Sequence, residues 1–152
     1  MSLLNASLTA QLSELLKKMV SKIEIISYVD NSETSQKVKS LLEEVSQQSD
    51  KISISEVNNN EISNVKRKPS FELRRKLDNP VNGESTVSVS FAGLPLGHEF
   101  SSLVLALLQV SGYAPKISDE QRDAILKLGS HNVTTYMSVI CLNCPEVVQS
   151  LN

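Results

Sequence analysis

Long apolar runs are missing from this sequence: no stretch approaches the roughly 18 residues that suggest a membrane-spanning helix. A secretory signal is missing too. Met1 to Met19 alternates leucine with polar residues and has no basic segment leading into a continuous apolar core. The chain is therefore expected in the cytoplasm, with no membrane partner. Cysteine is scarce, with two in 152 residues. In a reducing compartment a lone pair reads as redox-active or metal-binding rather than as a structural staple. Neither sign of charge dominates: Lys+Arg 15 against Asp+Glu 17 gives a formal net charge of -2, which offers no overall attraction for nucleic acid or an acidic surface. Aromatics are only 4%, too few to suggest stacking platforms for bases. The basic runs Lys66-Arg67-Lys68 and Arg74-Arg75-Lys76 thus read as solvated hairpin edges, where charge suppresses strand-to-strand aggregation, and no nucleic-acid partner is expected. No Gly-x-Gly-x-x-Gly follows any strand, so no dinucleotide-binding domain is visible and no cofactor is expected in this chain.

What remains is ordinary globular material, with 40% hydrophobic and 21% charged residues. Leu8, Leu12, Leu15, Leu16 and Met19 recur at helical spacing behind Asn5 or Ser7 as N-cap. Ile23 to Val29 is short and β-branched, a buried strand. Asp30-Asn31-Ser32 turns the chain, and Val38, Leu41, Leu42 and Val45 form the stripe of a second helix. Ile52, Ile54 and Val57 suggest another strand, which would pair in parallel with the first through a right-handed crossover. Ser70 to Leu73 and the alternating Val87, Val89 and Phe91 predict an antiparallel hairpin. Its loop is expected to be long, because Asn79-Pro80-Val81-Asn82-Gly83 is strong turn chemistry. A loop over Gly93 to Gly97 precedes an apolar helix marked by Phe100, Leu103, Val104, Leu107 and Leu108, with Gly112 as its stop. A short helix over 119–128 follows, then a strand over Val133 to Ile140 and a helix opened by Pro145.

The chemistry concentrates in Cys141-Leu142-Asn143-Cys144-Pro145, on a strand-to-helix turn eight residues from the end of the sequence. Two thiols at this spacing can carry two electrons as a reversible disulfide. Exchange needs a thiolate, and an ordinary cysteine, with a pKa of about 8.5, is mostly protonated at neutral pH. A position just before a helix start favours the negative sulfur, through unpaired N–H groups and the helix dipole. Cys141 is then the attacking thiol, Cys144 the resolving one, and Pro145 presets the helical φ. Spacing alone leaves two other readings open: a pair of buried small residues, and half of a zinc site with His131 as an outlying ligand.

Three stretches together resemble the N-terminal region of the flavoprotein (F-type) alkyl hydroperoxide reductases, a family of peroxiredoxin reductases. They are Arg67 to Phe71, Gly93 to Leu108, in which Gly97-His98-Glu99-Phe100 stands out, and Cys141 to Asn152. The resemblance covers essentially the whole chain and implies two fused thioredoxin-like units, an α/β fold in which the order β-α-β-β-β-α of residues 23 to 112 is the first. Residues 1–22 are expected as a helix packed on that unit, 113–132 as a connector, and 133–152 as the opening strand and helix of a second, incomplete unit. The family implies FAD and NADH domains further along a full-length flavoprotein, itself a homodimer, so that this chain reads as a truncated fragment of a disulfide oxidoreductase. Electrons would run from a flavin-domain disulfide to the Cys141–Cys144 pair and on to a peroxiredoxin, the C-type component of the alkyl hydroperoxide reductase system. In the family the first unit lacks a dithiol; here the matching turn is Asp30-Asn31-Ser32-Glu33. The resemblance also places Glu99 near the pair, where a buried carboxylate can take up the proton of the resolving thiol, although an acid in a first helical turn is equally explained by the dipole. His98 reads as a helix-start or packing residue. Pro69 matches the position of a cis-proline before the third strand, architectural in a thiol-free unit. The alternative to a relay is a non-catalytic docking domain.

Overall fold

The computed structural model describes residues 3–57, 67–81, 84–129, 131–138 and 140–151. Its elements are α1 (Ala6–Leu16), β1 (Ile23–Tyr28), α2 (Glu33–Ser46), β2 (Ile52–Glu56), β3 (Ser70–Val81), β4 (Glu84–Ala92), a 3-10 turn (Gly97–Glu99), α3 (Phe100–Val110), α4 (Asp119–Lys127) and α5 (Cys144–Leu151). Among the described residues no helix is long and apolar enough to cross a membrane.

The strands form one sheet in the order β2-β1-β3-β4. β1 and β2 are parallel, with Ile23 opposite Ile52, and β1 and β3 are antiparallel, with Ile25 opposite Leu73. β3 and β4 are antiparallel, with Phe71 opposite Phe91. Because side chains alternate along a strand, this register sets Ile23, Ile25, Phe71, Leu73 and Phe91 on one face. They join Leu12 and Leu16 of α1, Val38, Leu41, Leu42 and Val45 of α2, and Leu103 and Leu107 of α3 in one buried core. All three helices therefore cover the same side. The opposite face carries polar pairs, Glu72 with Arg74 at 2.9 Å and Ser55 with Glu24 at 2.5 Å.

Local chemistry sets the boundaries. Asn5 caps α1, its side chain accepting from the Leu8 N–H at 2.9 Å, so Asn5 rather than Ser7 is the cap. Ser32 caps α2 through the Ser35 N–H. Ser118 and Gln121 form a reciprocal capping box at the start of α4. Gly112 ends the α3 segment at φ 103°, a conformation that penalises any residue with a Cβ, and its N–H and that of Tyr113 return to the Gln109 and Leu108 carbonyls. Arg75 Nε donates to the Val110 carbonyl at 2.5 Å, a cation at a helix C-terminus. Arg74 and Arg75 thus have intramolecular partners, in keeping with a structural basic run; Lys66 lies outside the described residues.

Two expectations need correction. The hairpin has no long loop: β3 runs through Asn79 and Pro80 to Val81, which pairs with Glu84, after a register irregularity between Lys76 and Val81. Proline lacks a donor, and such an irregularity is where a strand tolerates it. The strand expected over Val133 to Ile140 is not formed at 131–138 or at 140. Its residues have strand propensity, but a ladder needs a partner, and none of the described residues pairs with them. Val133, Tyr136 and Ile140 accordingly stand exposed, while the helix expected after them is present as α5.

Candidate functional site

Cys141 and Cys144 are bonded as a disulfide, with their Cα atoms 5.5 Å apart. A turn makes this possible: the Cys141 N–H donates to the Ser138 carbonyl at 3.0 Å, bending the chain just before α5 begins at Cys144. Both cysteines are half-buried, whereas Leu142 and Asn143 between them are exposed, so the sulfurs lie in the rim of the molecule. Val148, one turn further along α5, is buried, and α5 rests on the 3-10 turn and on α3.

That 3-10 turn carries Glu99, one of the most completely buried side chains, at 1% exposure. Among the described residues, neither of its carboxylate oxygens has a hydrogen-bond partner. Burying a carboxyl group without partners costs free energy, so its position is not explained by stability. The dipole explanation weakens as well, because that benefit requires no burial. The structure thus brings the element bearing Glu99 against the helix that begins with Cys144. His98, its neighbour, is exposed.

At the turn after β1, Asp30, Ser32 and Ser35 form a hydrogen-bonded polar cluster. Asp30 Oδ1 accepts from the Ser35 hydroxyl at 2.6 Å and from the Ser32 N–H at 3.0 Å. The Ser32 and Ser35 hydroxyls, the Ser32 N–H and the nearby Lys68 charge lower the Asp30 pKa from 3.8 to about 2. Pro69, following a cis Lys68–Pro69 bond as expected, is buried beside Ser70, which pairs with Tyr28 near the end of β1. This same β1-to-α2 turn is where a βαβ unit would cradle a dinucleotide phosphate. An ionised Asp30 already occupies its donors and would repel the anion, so the residues of this turn do not fit the dinucleotide phosphate of FAD or NADH.

Because the folded-state pKa of Asp30 lies below its ordinary value, the charged form is favoured on folding. Its contribution to stability is complete above about pH 4 and is lost as pH falls through about 2. Ser32→Ala removes both the cap of α2 and a hydroxyl near Asp30. It is expected to lower stability at neutral pH by about 1 kcal/mol. It should also move the Asp30 midpoint, followed by carboxyl-carbon NMR, up toward the ordinary range.

Sequence reasoning missed two connections. The Arg67 guanidinium lies 4.8 Å over the Tyr136 ring and donates to its hydroxyl, tying residues 131–138 to the start of β3. These segments, β4 and α5 line a cleft of about 830 Å³. The Gln149 amide on α5 donates to Ser101 Oγ at 3.1 Å and Ser102 Oγ at 3.4 Å on α3. Nothing local in the sequence signals either connection, whereas the turn at Asp30-Asn31-Ser32 is expected from its residues.

A four-stranded sheet covered on one side by helices, a cis-proline entering β3 and a Cys-x-x-Cys disulfide opening a helix define a thioredoxin-like protein. This chain is similar in structure to the solved N-terminal domain of the alkyl hydroperoxide reductase AhpF from Enterococcus faecalis, at a TM-score of 0.75 and 25% identity over 97% of this chain and 72% of that one. A protein disulfide oxidoreductase from Aeropyrum pernix shares the fold, with a TM-score of 0.73 and 19% identity over 95% of this chain and 64% of that one. The F-type alkyl hydroperoxide reductase of Staphylococcus aureus is 45% identical over 151 residues, 99% of this chain. The Staphylococcus epidermidis protein of the same name is 42% identical over the same span. No protein-family model matches the sequence. The chain corresponds to the N-terminal region of the F-type alkyl hydroperoxide reductase family, and it spans 27% of the length of these curated relatives.

Proposed function

We propose that this chain is a thiol–disulfide electron relay of a peroxiredoxin reductase. The observation that carries this reading is the Cys141–Cys144 disulfide at the start of α5. In the oxidised state shown, a donor dithiol attacks the disulfide and leaves Cys141 and Cys144 as thiols. In this reading the donor is a dithiol on a flavin domain, reduced in turn by NADH. The Cys141 thiolate, favoured by the helix start, then attacks a sulfur of the acceptor disulfide and releases one acceptor thiolate. Cys144 loses its proton, attacks Cys141 and releases the second acceptor thiolate. Two electrons and two protons leave the relay and the pair returns to the disulfide. Glu99 is suited to receive the Cys144 proton, being buried, without a carboxyl partner among the described residues and on an element in contact with α5. The acceptor is a peroxiredoxin, the C-type component of the alkyl hydroperoxide reductase system, and the full-length protein acts as a homodimer in the cytoplasm. The thiol-free sheet supports the pair and exchanges no electrons, because Asp30, Asn31 and Ser32 stand where sulfur would be required.

Equilibrating the intact chain against a graded glutathione series tests this: both thiols are expected to appear together as one reversible two-electron transition. A docking domain without redox function would show no such transition.

A further inference from the structure

We infer that Gln149 is a positioning residue that couples Glu99 to the cysteine pair, an inference that rests on the relay reading above. Gln149 lies on the helix that begins at Cys144. Its amide donates to Ser101 Oγ at 3.1 Å and Ser102 Oγ at 3.4 Å, and Ser101 Oγ donates to the His98 carbonyl at 3.0 Å. His98 adjoins Glu99 in the 3-10 turn. A continuous path of hydrogen bonds therefore links the helix of the disulfide to the peptide that holds the buried acid, across 48 residues of sequence.

This contact does what its apolar neighbour does not. Val148 is buried and holds α5 onto the fold, but apolar burial is non-directional and lets a short helix slide or turn about its axis. Two hydrogen bonds to successive hydroxyls fix rotation and axial height together. Ser102 is fully buried and Gln149 half-buried, so water competes weakly for the bond to Ser102, whereas the bond to Ser101 lies at an exposed position. Among the described residues Glu99 has no hydrogen-bond partner at either carboxyl oxygen to aim it. Its placement relative to Cys144 is therefore set by the packing of the two elements, and Gln149 is the polar contact that registers them.

The test is a cycle of variants in the intact chain, read as the equilibrium constant for exchange with glutathione. Glu99→Gln is expected to change that constant by about threefold or more in the native background, and by less than about 1.5-fold once Gln149→Leu has removed the link, the scale of one hydrogen bond. Ser101→Ala, at an exposed position, should reproduce the effect of Gln149→Leu and serves if the latter fails to fold. An unchanged Glu99→Gln effect in both backgrounds overturns the inference, as does the absence of any Glu99→Gln effect in the native one. If the native chain has no reversible couple, the relay reading falls and this inference with it.

Discussion

Cys144→Ser is expected to trap the chain on its acceptor, whereas Cys141→Ser leaves it inert. With Cys144 gone, the reduced Cys141 still attacks a peroxiredoxin disulfide, but no second thiol is present to resolve the product. A mixed disulfide therefore accumulates, visible as one higher-mass band that a reductant dissolves. With Cys141 gone, Cys144 is held as the first residue of α5 behind an exposed two-residue turn, and the attacking position is empty. The expected loss of turnover is complete in both variants, and the trapped complex is confined to one. The asymmetry follows from the turn, since Cys141 lies outside the helix and its N–H is held by the Ser138 carbonyl. Equal trapping by the two variants would contradict these roles.

The largest effect on stability is expected at Phe71. Its ring is fully buried and stacks on Phe91 across the β3–β4 ladder, at a centroid distance of 5.3 Å. It occupies the centre of the sheet, opposite Ser27 on β1 and beneath the helices. Phe71→Ala removes the transfer free energy of the ring and leaves a cavity, an expected loss of about 3–5 kcal/mol in denaturant unfolding. A domain of this size is marginally stable, so that loss takes away a large part of the whole. Phe71→Leu retains most of the volume and should lose markedly less. A small effect of the alanine variant would mean that the core does not close around this ring.

The elements that sequence disclosed are those whose stability is local. Val38, Leu41, Leu42 and Val45 write a helical stripe, Ile23 to Val29 a buried strand and Gly112 a helix end, and each lies where expected. The Cys-x-x-Cys spacing admitted the disulfide that the structure shows, beside two other readings, and the resemblance carried by the Gly-His-Glu-Phe run singled out Glu99, whose side chain the structure buries. The parallel β1–β2 pairing and the β3–β4 hairpin also form as expected, but two features that depend on distant partners were misread. Val133 to Ile140 has strand composition, yet β structure is a relation between segments, and 131–138 has no ladder partner among the described residues. Asn79-Pro80 has turn composition, but the ladder from β4 carries the strand through it. Gln149 was invisible because its partners lie 47 and 48 residues away and its own spacing has no periodic meaning.

The relay claim is tested most directly by counting thiols on the intact chain across the glutathione series, with alkylation and mass measurement at each point. The account predicts only two species, disulfide and doubly alkylated dithiol, exchanging reversibly through one transition with a two-electron slope. A chain that stays unmodified throughout, or that yields a dithiol which does not reoxidise, would contradict it.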